Sequence, residues 1–327
     1  MRGEHHEFDG VVPAQCAGER LDVTALRLVP GLSRARIGTA IRSGAVVLDG
    51  RTRKPAYRVV GGERISIRIE EQPRPLRDLP QPVPFDVAYE DEHLIVVDKP
   101  PGLVVHPGAG NADGTLVNGL LARRRELAAL PRAGIVHRLD KDTSGLMVVA
   151  ASERVRRFLV RAIQRREVDR AYLAVAEGVM ISGRDIDLAL GRDSAQRTRW
   201  RARKDGRTAL TRVRVAARYR AHTLVGAKLE TGRTHQVRAH LSAVGHPLVG
   251  DRRYGARGHL PKVPSEALVE TIRGFKRQAL HARYLGFEHP ALGRAMRFES
   301  PIPSDIGALI RALETDAEEA CPPERTR

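Results

Sequence analysis

A short charged stretch enclosed by two apolar runs constrains this chain more than any other feature. Residues 137–142 read HRLDKD and follow Ile135-Val136. The run after them, residues 146–150 (LMVVA), is rich in β-branched residues, which predicts a buried strand, and Ser144-Gly145 predicts a turn before it. Because loops on a rigid scaffold are where catalytic side chains collect, the charged stretch is a candidate active site. A solvated ion-pair loop is the simpler interpretation.

The chain carries a large excess of positive charge. Its 327 residues include 56 Lys+Arg against 39 Asp+Glu, which gives a formal net charge of +17. Such an excess favours a polyanionic partner, either nucleic acid or an anionic membrane surface. Only 4% of the residues are aromatic, which argues against a surface built mainly on base stacking. An arginine-rich genome is the alternative explanation for the charge.

Cysteine usage and the N-terminus indicate a cytoplasmic protein. Cys16 and Cys321 lie near opposite ends of the chain and form no Cys-x-x-Cys pair, which fits a reducing compartment and gives no support for a zinc ribbon. The N-terminus has no apolar signal core, and no apolar run approaches the roughly 20 residues that span a membrane. We therefore expect a cytoplasmic monomer, away from membranes, with about two domains.

Residues 18–70 predict a compact first domain, after a flexible arm of residues 1–17. Leu21 and Leu28 share one face of a first helix, and a second helix has Ser33 as its N-cap and ends at Gly44. Two strands follow, joined through a turn at Asp49-Gly50.

This first domain resembles the S-four-like RNA-binding module, which is named after a small-subunit ribosomal protein. The matching segments are RLD at 20–22, SRAR at 33–36, IRSGAV at 41–46 and GGERI at 61–65. The resemblance implies that Arg34, Arg36 and Arg42 contact RNA phosphates without reading the base sequence. A solvated basic helix is the alternative interpretation of these arginines.

A proline-dense stretch, residues 71–85, predicts an extended and semi-rigid linker to a second domain. We place that domain at residues 86–314. It begins with a buried strand at residues 94–97 and ends with a helix at residues 306–314. Residues 315–327 are predicted to form a loose tail.

Three segments of the second domain resemble the RluA group of pseudouridine synthases. They are HRLDKDTSG at 137–145, the stretch from DKPPG to HP at 98–107, and GRTHQVRAH with GHPLVGD at 232–251. The resemblance covers about residues 86–314 and is strongest to the members that modify large-subunit ribosomal RNA. It implies an α+β fold in which helices flank a mixed, mainly antiparallel β-sheet.

The resemblance also assigns roles to particular residues. Asp140 is the catalytic aspartate, which attacks either the sugar or the uracil ring; both routes stay open. Arg233 pairs with Asp140, Tyr172 stacks on the target base, and Arg138 fills the gap left by the flipped base. Arg170 stands where the family usually has lysine. The family's reaction requires neither a cofactor nor a metal.

Two other functions use the same residues. A non-catalytic RNA-binding factor for ribosome assembly needs the basic surface but neither Asp140 nor Arg233, and this chain has both. A hydrolase with paired carboxylates needs Asp140 and Asp142 to face one substrate.

A metal site is the remaining possibility for this region. Three histidines, His235, His240 and His246, lie close together in the sequence. No carboxylate or cysteine completes a ligand set at the usual spacing, so we expect no metal there.

Overall fold

The computed structural model describes residues 5–30, 32, 34–70, 79–108, 111–194, 196, 198–255 and 259–320. The chain divides into two compact units between Leu76 and Arg77. No helix in the described part is both long enough and apolar enough to cross a membrane.

The smaller unit consists of a three-stranded antiparallel sheet with two helices. Its elements are β1 (His5–Val11), α1 (Leu21–Leu28), α2 (Arg34–Ser43), β2 (Val46–Leu48) and β3 (Arg64–Glu70). The strand order is β1-β3-β2. Leu21 and Ile37 on the helices are fully buried in one core with Ile65 of β3. The predicted turn at Asp49-Gly50 is present, and both residues have positive φ, 48° and 69°.

The prediction of a flexible arm over residues 1–17 is wrong for His5–Val11. This segment is β1, and it pairs with β3 along its whole length, from His5 opposite Glu70 to Val11 opposite Arg64. The pairing satisfies backbone groups on the edge of β3 that β2 does not reach. Val12 then enters the core with 1% of its surface exposed.

The larger unit is built on a nine-stranded sheet in the order β4-β5-β6-β13-β7-β12-β11-β8, with β14 paired to β13. Its strands are β4 (Asp86–Glu90), β5 (Leu94–Lys99), β6 (Ser144–Ala150), β7 (Asp169–Glu177), β8 (Arg184–Asp187), β11 (Leu210–Arg218), β12 (His222–Leu229), β13 (Leu280–Glu288) and β14 (Ala295–Glu299). A separate two-stranded sheet pairs β9 (Leu190–Arg192) with β10 (Trp200–Ala202). The expected mixed, mainly antiparallel sheet is confirmed, because β6 and β13 run parallel while the other neighbouring strands described here are antiparallel.

Helices cover both faces of this sheet. They are α3 (Leu116–Arg123), α4 (Glu153–Gln164), α5 (Gln236–Ala243), α6 (Glu266–Gly274) and α7 (Ser304–Ala320). Side chains of β6 alternate between the faces, as a strand buried on both sides requires. Met147 and Val149 join the core beneath α3 and α5, whereas Leu146 and Val148 pack with α4.

Both ends of the second domain extend beyond the predicted bounds. The backbone N–H of Gln81 donates to Asn118 O at 3.1 Å, and Phe85 packs against the core. Residues 79–85 therefore belong to the larger unit, while residues 71–78 of the predicted linker lie outside the described residues.

The predicted tail is also shorter than expected. Helix α7 continues to Ala320 because Asp316, 2% exposed, accepts hydrogen bonds from Ser265 N and Arg220 Nη1 at 2.7 and 3.1 Å. Residues 321–327, which include Cys321, lie outside the described residues.

Gly145 belongs to β6 rather than to a turn, and the sheet requires a glycine there. Its φ is +111°, and a Cβ atom would lie 2.2 Å from Ala282 O on β13. Gly102 also has positive φ, +84°, but a Cβ there would meet no atom within 4 Å.

We predict that Gly145→Ala destabilises the protein more than Gly102→Ala. Both substitutions incur a backbone cost of about 1–2 kcal/mol at positive φ. Only Gly145→Ala also forces β6 away from β13, which adds about 1–3 kcal/mol, as overpacking does. Urea unfolding followed by circular dichroism measures the difference, and equal losses would contradict the close approach of the two strands.

Candidate active site

The charged loop forms one side of a cleft of about 540 Å³ in the larger unit. Asp140, Arg138, Tyr172 and Arg233, the residues predicted for the site, all line this cleft. Its volume is within the range of small-molecule pockets and suits a single nucleotide better than a duplex. The structure therefore brings the four predicted residues together in one cleft, but the partner of Asp140 differs from the predicted one.

Side chains from neighbouring strands fix the backbone of the charged loop. Lys99 Nζ donates to Lys141 O at 2.9 Å, and Arg277 Nη1 donates to Asp142 O at 3.1 Å. Gln278 Nε2 donates to Thr143 Oγ1 at 3.0 Å. Asp140 therefore stands on a rigid support that was not apparent from the loop sequence alone.

Lys99 is a fully buried lysine at the end of β5. Its Nζ donates to three carbonyl oxygens, those of Pro100, Leu103 and Lys141, at 2.7, 3.0 and 2.9 Å. Burial lowers the pKa of Lys99 to about 7. Three acceptors match the three N–H groups of the ammonium form, so this lysine ties two loops together.

His137 anchors the start of the same loop as a neutral imidazole. Its Nε2 accepts a hydrogen bond from Val148 N of β6 at 3.1 Å. Burial, with a smaller contribution from the Arg170 guanidinium, lowers the pKa of His137 to about 3. The unprotonated ring nitrogen that this bond requires is therefore present at neutral pH. The adjacent Leu139 is a core residue with 3% exposure.

Asp140 is paired with Arg238 and not with Arg233. Arg238 Nη1 donates to Asp140 Oδ2 at 2.8 Å. Arg233 lines the cleft, but its Nε donates to Thr208 O at 3.2 Å. The expected pairing of Arg233 with Asp140 is therefore corrected. Arg233 precedes α5, whereas Arg238 lies in the first turn of the helix on its buried side.

A second carboxylate holds Arg238 in position. Arg238 Nε and Nη2 donate to the two oxygens of Asp251 at 2.7 and 2.8 Å. The backbone N–H groups of Arg253 and Tyr254 donate to Asp251 Oδ1 at 3.0 and 3.2 Å. The Arg238 guanidinium also lies over the Tyr254 ring, 5.0 Å from its centroid. This bidentate pair with a stacked ring leaves Nη1 directed at Asp140.

His235 is the second polar neighbour of Asp140. Its Nε2 lies 3.8 Å from Asp140 Oδ1, and its Nδ1 is 2.9 Å from the Tyr254 hydroxyl. That hydroxyl also accepts a hydrogen bond from Trp200 N at 2.8 Å, so Tyr254 links His235 to the start of β10. Burial lowers the pKa of His235, which favours the neutral ring beside Asp140.

Tyr172 and Arg170 of β7 form another part of the cleft wall. Burial raises the pKa of Tyr172 to about 12, so its phenol stays protonated at neutral pH. Arg170 is 5% exposed, and its buried Nε has no hydrogen-bond partner among the described residues. Gly232 makes room for it, because a Cβ there would lie 2.8 Å from Arg170 Nη1. The guanidinium is therefore available to an anionic or carbonyl group in the cleft.

Arg138 and Asp142 differ in their relation to the cleft. Arg138 is exposed at its edge and makes no hydrogen bond or ion pair with the described residues. Asp142 does not line the cleft, so a hydrolase built on Asp140 and Asp142 lacks its second carboxylate.

The three nearby histidines have separate surroundings. The ring nitrogens of His240 lie 2.9 Å from Thr211 Oγ1 and from Leu188 O, and Nδ1 of His246 lies 2.9 Å from Glu177 O. In the part of the chain that the structure describes, no group of three or more His, Cys, Asp or Glu residues is arranged to hold a metal ion.

The predicted RNA contacts of the smaller unit lie on α2. Arg34 is 56% exposed, and its Nε donates to the Asp22 carboxylate at 3.1 Å. Arg42 is exposed, and its Nη2 donates to Thr39 Oγ1 at 3.1 Å. Arg36 is partly exposed on the same helix.

Several residues of the site were not assigned from the sequence. Arg238 and Asp251 both stand in the recognised segment at 232–251, but no periodic pattern indicates that the second arginine is the one facing the loop. The helical position of Arg238 depends on His235, whose left-handed backbone (φ 56°) turns the chain into α5. Lys99 stands in the recognised segment at 98–107, but nothing in that segment indicates that its side chain is buried.

Two family models match the chain. The model described as RNA pseudouridylate synthase matches residues 93–243, which include the cleft. The model described as S4 domain matches residues 19–65 of the smaller unit.

Similar proteins extend over nearly the whole chain. "Ribosomal large subunit pseudouridine synthase D" of Xanthomonas campestris is 47% identical over 310 residues, covering 95% of this chain and 93% of that protein. The protein of the same name from Pseudomonas aeruginosa is 47% identical over 94% of this chain and 96% of its own length. The Escherichia coli protein of the same name is 46% identical over 92% of this chain and 93% of its own length.

Solved structures show the same fold. "Human RNA Pseudouridylate Synthase Domain Containing 1" has a TM-score of 0.51 at 26% identity and covers 72% of this chain and 96% of its own. "Human RNA Pseudouridylate Synthase Domain Containing 4" has a TM-score of 0.53 at 24% identity, with 70% and 92% covered.

We predict that Arg238→Ala destabilises the protein by about 3–5 kcal/mol, because it leaves the Asp140 and Asp251 carboxylates without their shared cation. Arg233→Ala is the matched control, and its cost should stay below about 1 kcal/mol because its side chain is partly exposed and pairs with no carboxylate in the described part. Urea unfolding at pH 7 measures both. Similar losses would contradict the assignment of Arg238.

The pH dependence of the same variants supplies a second measurement. Burial raises the pKa of Asp251, but hydrogen bonds from Arg238 outweigh it, and the pKa lies below its ordinary value. The Arg238–Asp251 pair therefore stabilises the folded protein fully above about pH 4, the ordinary pKa of aspartate. This stabilisation is lost as the pH falls through the lower pKa that Asp251 has in the folded protein. The difference in free energy of unfolding between wild type and Arg238→Ala should therefore become smaller below about pH 4. A difference independent of pH would contradict the pairing.

Proposed function

Because the chain belongs to the RNA pseudouridine synthase family and isomerises uridine in RNA, we propose that Asp140 is its nucleophile and large-subunit ribosomal RNA its substrate. The arrangement that carries this proposal is the Asp140 carboxylate, held by Arg238 at the edge of a nucleotide-sized cleft that Tyr172 also lines.

The reaction determines what these residues must do. The bond from C1′ of the ribose to N1 of uracil breaks, and a bond from C1′ to C5 forms. C5 loses a proton and N1 gains one, so the change is an isomerisation without net oxidation or reduction. A carboxylate nucleophile divides this change into two steps through a covalent intermediate, on either the sugar or the ring.

Asp140 must act as the carboxylate anion. Arg238 supports this state because a guanidinium stays charged when buried and binds Asp140 in a fixed direction. The second oxygen, Oδ1, lies 3.8 Å from His235 Nε2 and accepts no hydrogen bond from the described residues, which leaves it to approach the substrate. Arg238 thus orients one oxygen and leaves the other to react.

Other residues of the cleft receive the flipped nucleotide. In this proposal Tyr172 stacks on the uracil, and the exposed guanidinium of Arg138 takes the place of the base in the RNA stack. Flipping costs on the order of a few kcal/mol, which contacts in the cleft must offset. Arg170 lines the cleft and forms no ion pair with the described residues, which supports a further contact from its guanidinium group to a phosphate or a uracil carbonyl oxygen.

Large-subunit ribosomal RNA is the proposed substrate because relatives with that activity in their names match nearly the whole chain. The smaller unit matches the S4 domain model and supports an additional RNA contact through Arg34, Arg36 and Arg42 of α2. We also propose that the enzyme acts as a monomer in the cytoplasm, where the buried thiol of Cys16 would stay reduced.

The test is complementation of a strain that lacks the gene with either wild type or Asp140→Asn. Asparagine has nearly the same shape as aspartate but is not a nucleophile. Wild type should restore pseudouridines in large-subunit ribosomal RNA, measured by mass mapping, and Asp140→Asn should restore none. Filter binding of the purified variant to RNA should stay within about threefold of wild type, well below the tenfold that 1.4 kcal/mol represents.

The outcomes separate the two parts of the proposal. Restored modification by Asp140→Asn would rule out Asp140 as the nucleophile. Pseudouridine restored only in other RNAs would leave the catalytic assignment intact and contradict the proposed substrate.

A further inference from the structure

A row of arginines lies along α4, outside the catalytic cleft. Arg154, Arg157, Arg161 and Arg165 are spaced three, four and four residues apart, which places them on one helical face. All four side chains are exposed. Neighbours four residues apart along an α-helix are separated by on the order of 6 Å along the axis, so the row follows the helix for most of its length.

These arginines line a groove of about 550 Å³. Phe158 and Pro290 form its apolar part, and Glu167 is the one carboxylate among the lining residues that the structure describes. The groove is thus a strongly positive surface with a small apolar floor.

Three of the four arginines in this row have no carboxylate partner among the described residues. The nearby carboxylate of Glu153 is bound by Arg156 at 2.6 and 2.7 Å and lies 3.9 Å from Arg157. Arg154, Arg161 and Arg165 have no ion pair or side-chain hydrogen bond with any residue in the described ranges. Like charges four residues apart weaken a helix, so the row is unfavourable for α4 alone.

Several arginines elsewhere on the larger unit form ion pairs. Arg212 and Arg214 both contact Asp185, and Arg212 also binds Glu230. The arginines of the α4 row differ from these pairs, because three of them have no carboxylate partner among the described residues and all four line one groove.

The groove adjoins the catalytic cleft along the chain. Ile163, Gln164 and Arg166 line the cleft, whereas Ala162 and Arg165 line the groove. Both surfaces thus share the end of α4.

We propose that the α4 groove binds the phosphate backbone of the substrate RNA on one side of the target uridine. The proposal rests on the proposed function, since it takes the occupant to be the same RNA that enters the cleft. Guanidinium groups match phosphates in charge and hydrogen-bond geometry. Contacts of this kind position the RNA without reading its sequence.

The test compares two triple variants of the full-length protein with the same change in charge. R154Q/R161Q/R165Q removes the three unpaired arginines of the groove. R184Q/R273Q/R311Q is the control, because these arginines are also exposed but lie on β8, α6 and α7. Thermal melting of each variant within about 2 °C of wild type, a shift below that of a 1 kcal/mol change, shows that folding is intact.

The measurement is filter binding of a large-subunit ribosomal RNA fragment across a salt series. Each phosphate contact contributes about 0.7–0.9 units to the slope of log affinity against log salt. The groove variant should lose about two to three units, and the control less than about one. The single-turnover rate of both at saturating enzyme should stay within about twofold of wild type, because the chemistry belongs to the cleft.

Three results would overturn the proposal. The first is a slope of log affinity against log salt that is the same for the groove variant and the control variant. The second is a reduced single-turnover rate with an unchanged slope, which would make α4 a support of the active site. The third is an unchanged RNA slope with lost binding to phosphatidylglycerol vesicles, which would assign the groove to a membrane surface. Asp140→Asn distinguishes failure of the proposed function, since it removes turnover without changing the slope.

Discussion

The active site depends on one guanidinium shared by two carboxylates. Arg238, with 7% of its side chain exposed, bridges Asp251, with none, and Asp140, with 15%. Burying three ionised groups is costly unless each is paired and hydrogen-bonded, and here Asp251 uses both oxygens on Arg238 and also accepts two backbone N–H groups. The arginine is thereby fixed in one orientation, and it fixes Asp140 in turn. The sheet, α5 and the turn after Gly250 all serve to bring these three groups together.

The parts of this arrangement that follow from local pattern were predictable. The buried strand after the charged loop, the turn at Asp49-Gly50 and the presence of Asp140 and Tyr172 in one cleft were predicted from apolar runs, turn residues and family resemblance. The partner of Asp140 was not predicted correctly. Arg233 stands in the loop before α5 and Arg238 in the first turn of α5, and the sequence does not show which of the two faces Asp140. That difference is set by the left-handed backbone of His235 and by packing against Asp251 and Tyr254, which the sequence does not display.

Non-local pairing explains the remaining differences. The N-terminal segment His5–Val11 has no periodic apolar pattern, yet it is ordered by β3, some 60 residues away in sequence, as its register from Val11 opposite Arg64 shows. Helix α7 is extended by contacts of Asp316 with Ser265 and Arg220. Likewise, the net charge of +17 indicated a polyanion but not where it binds, since many arginines form ion pairs and only the structure distinguishes them from the unpaired ones on α4.

The coupling between Arg238 and Asp251 is the most direct test of this account. A double-mutant cycle of single-turnover pseudouridine formation would compare Arg238→Gln, Asp251→Asn and the double variant at saturating enzyme. If Asp251 acts only by holding Arg238, the double variant should be no slower than Arg238→Gln alone, within about threefold, because effects of residues that act as a unit are not additive. Losses that multiply in the double variant would show that Asp251 acts independently, and would contradict the shared guanidinium as the basis of the site.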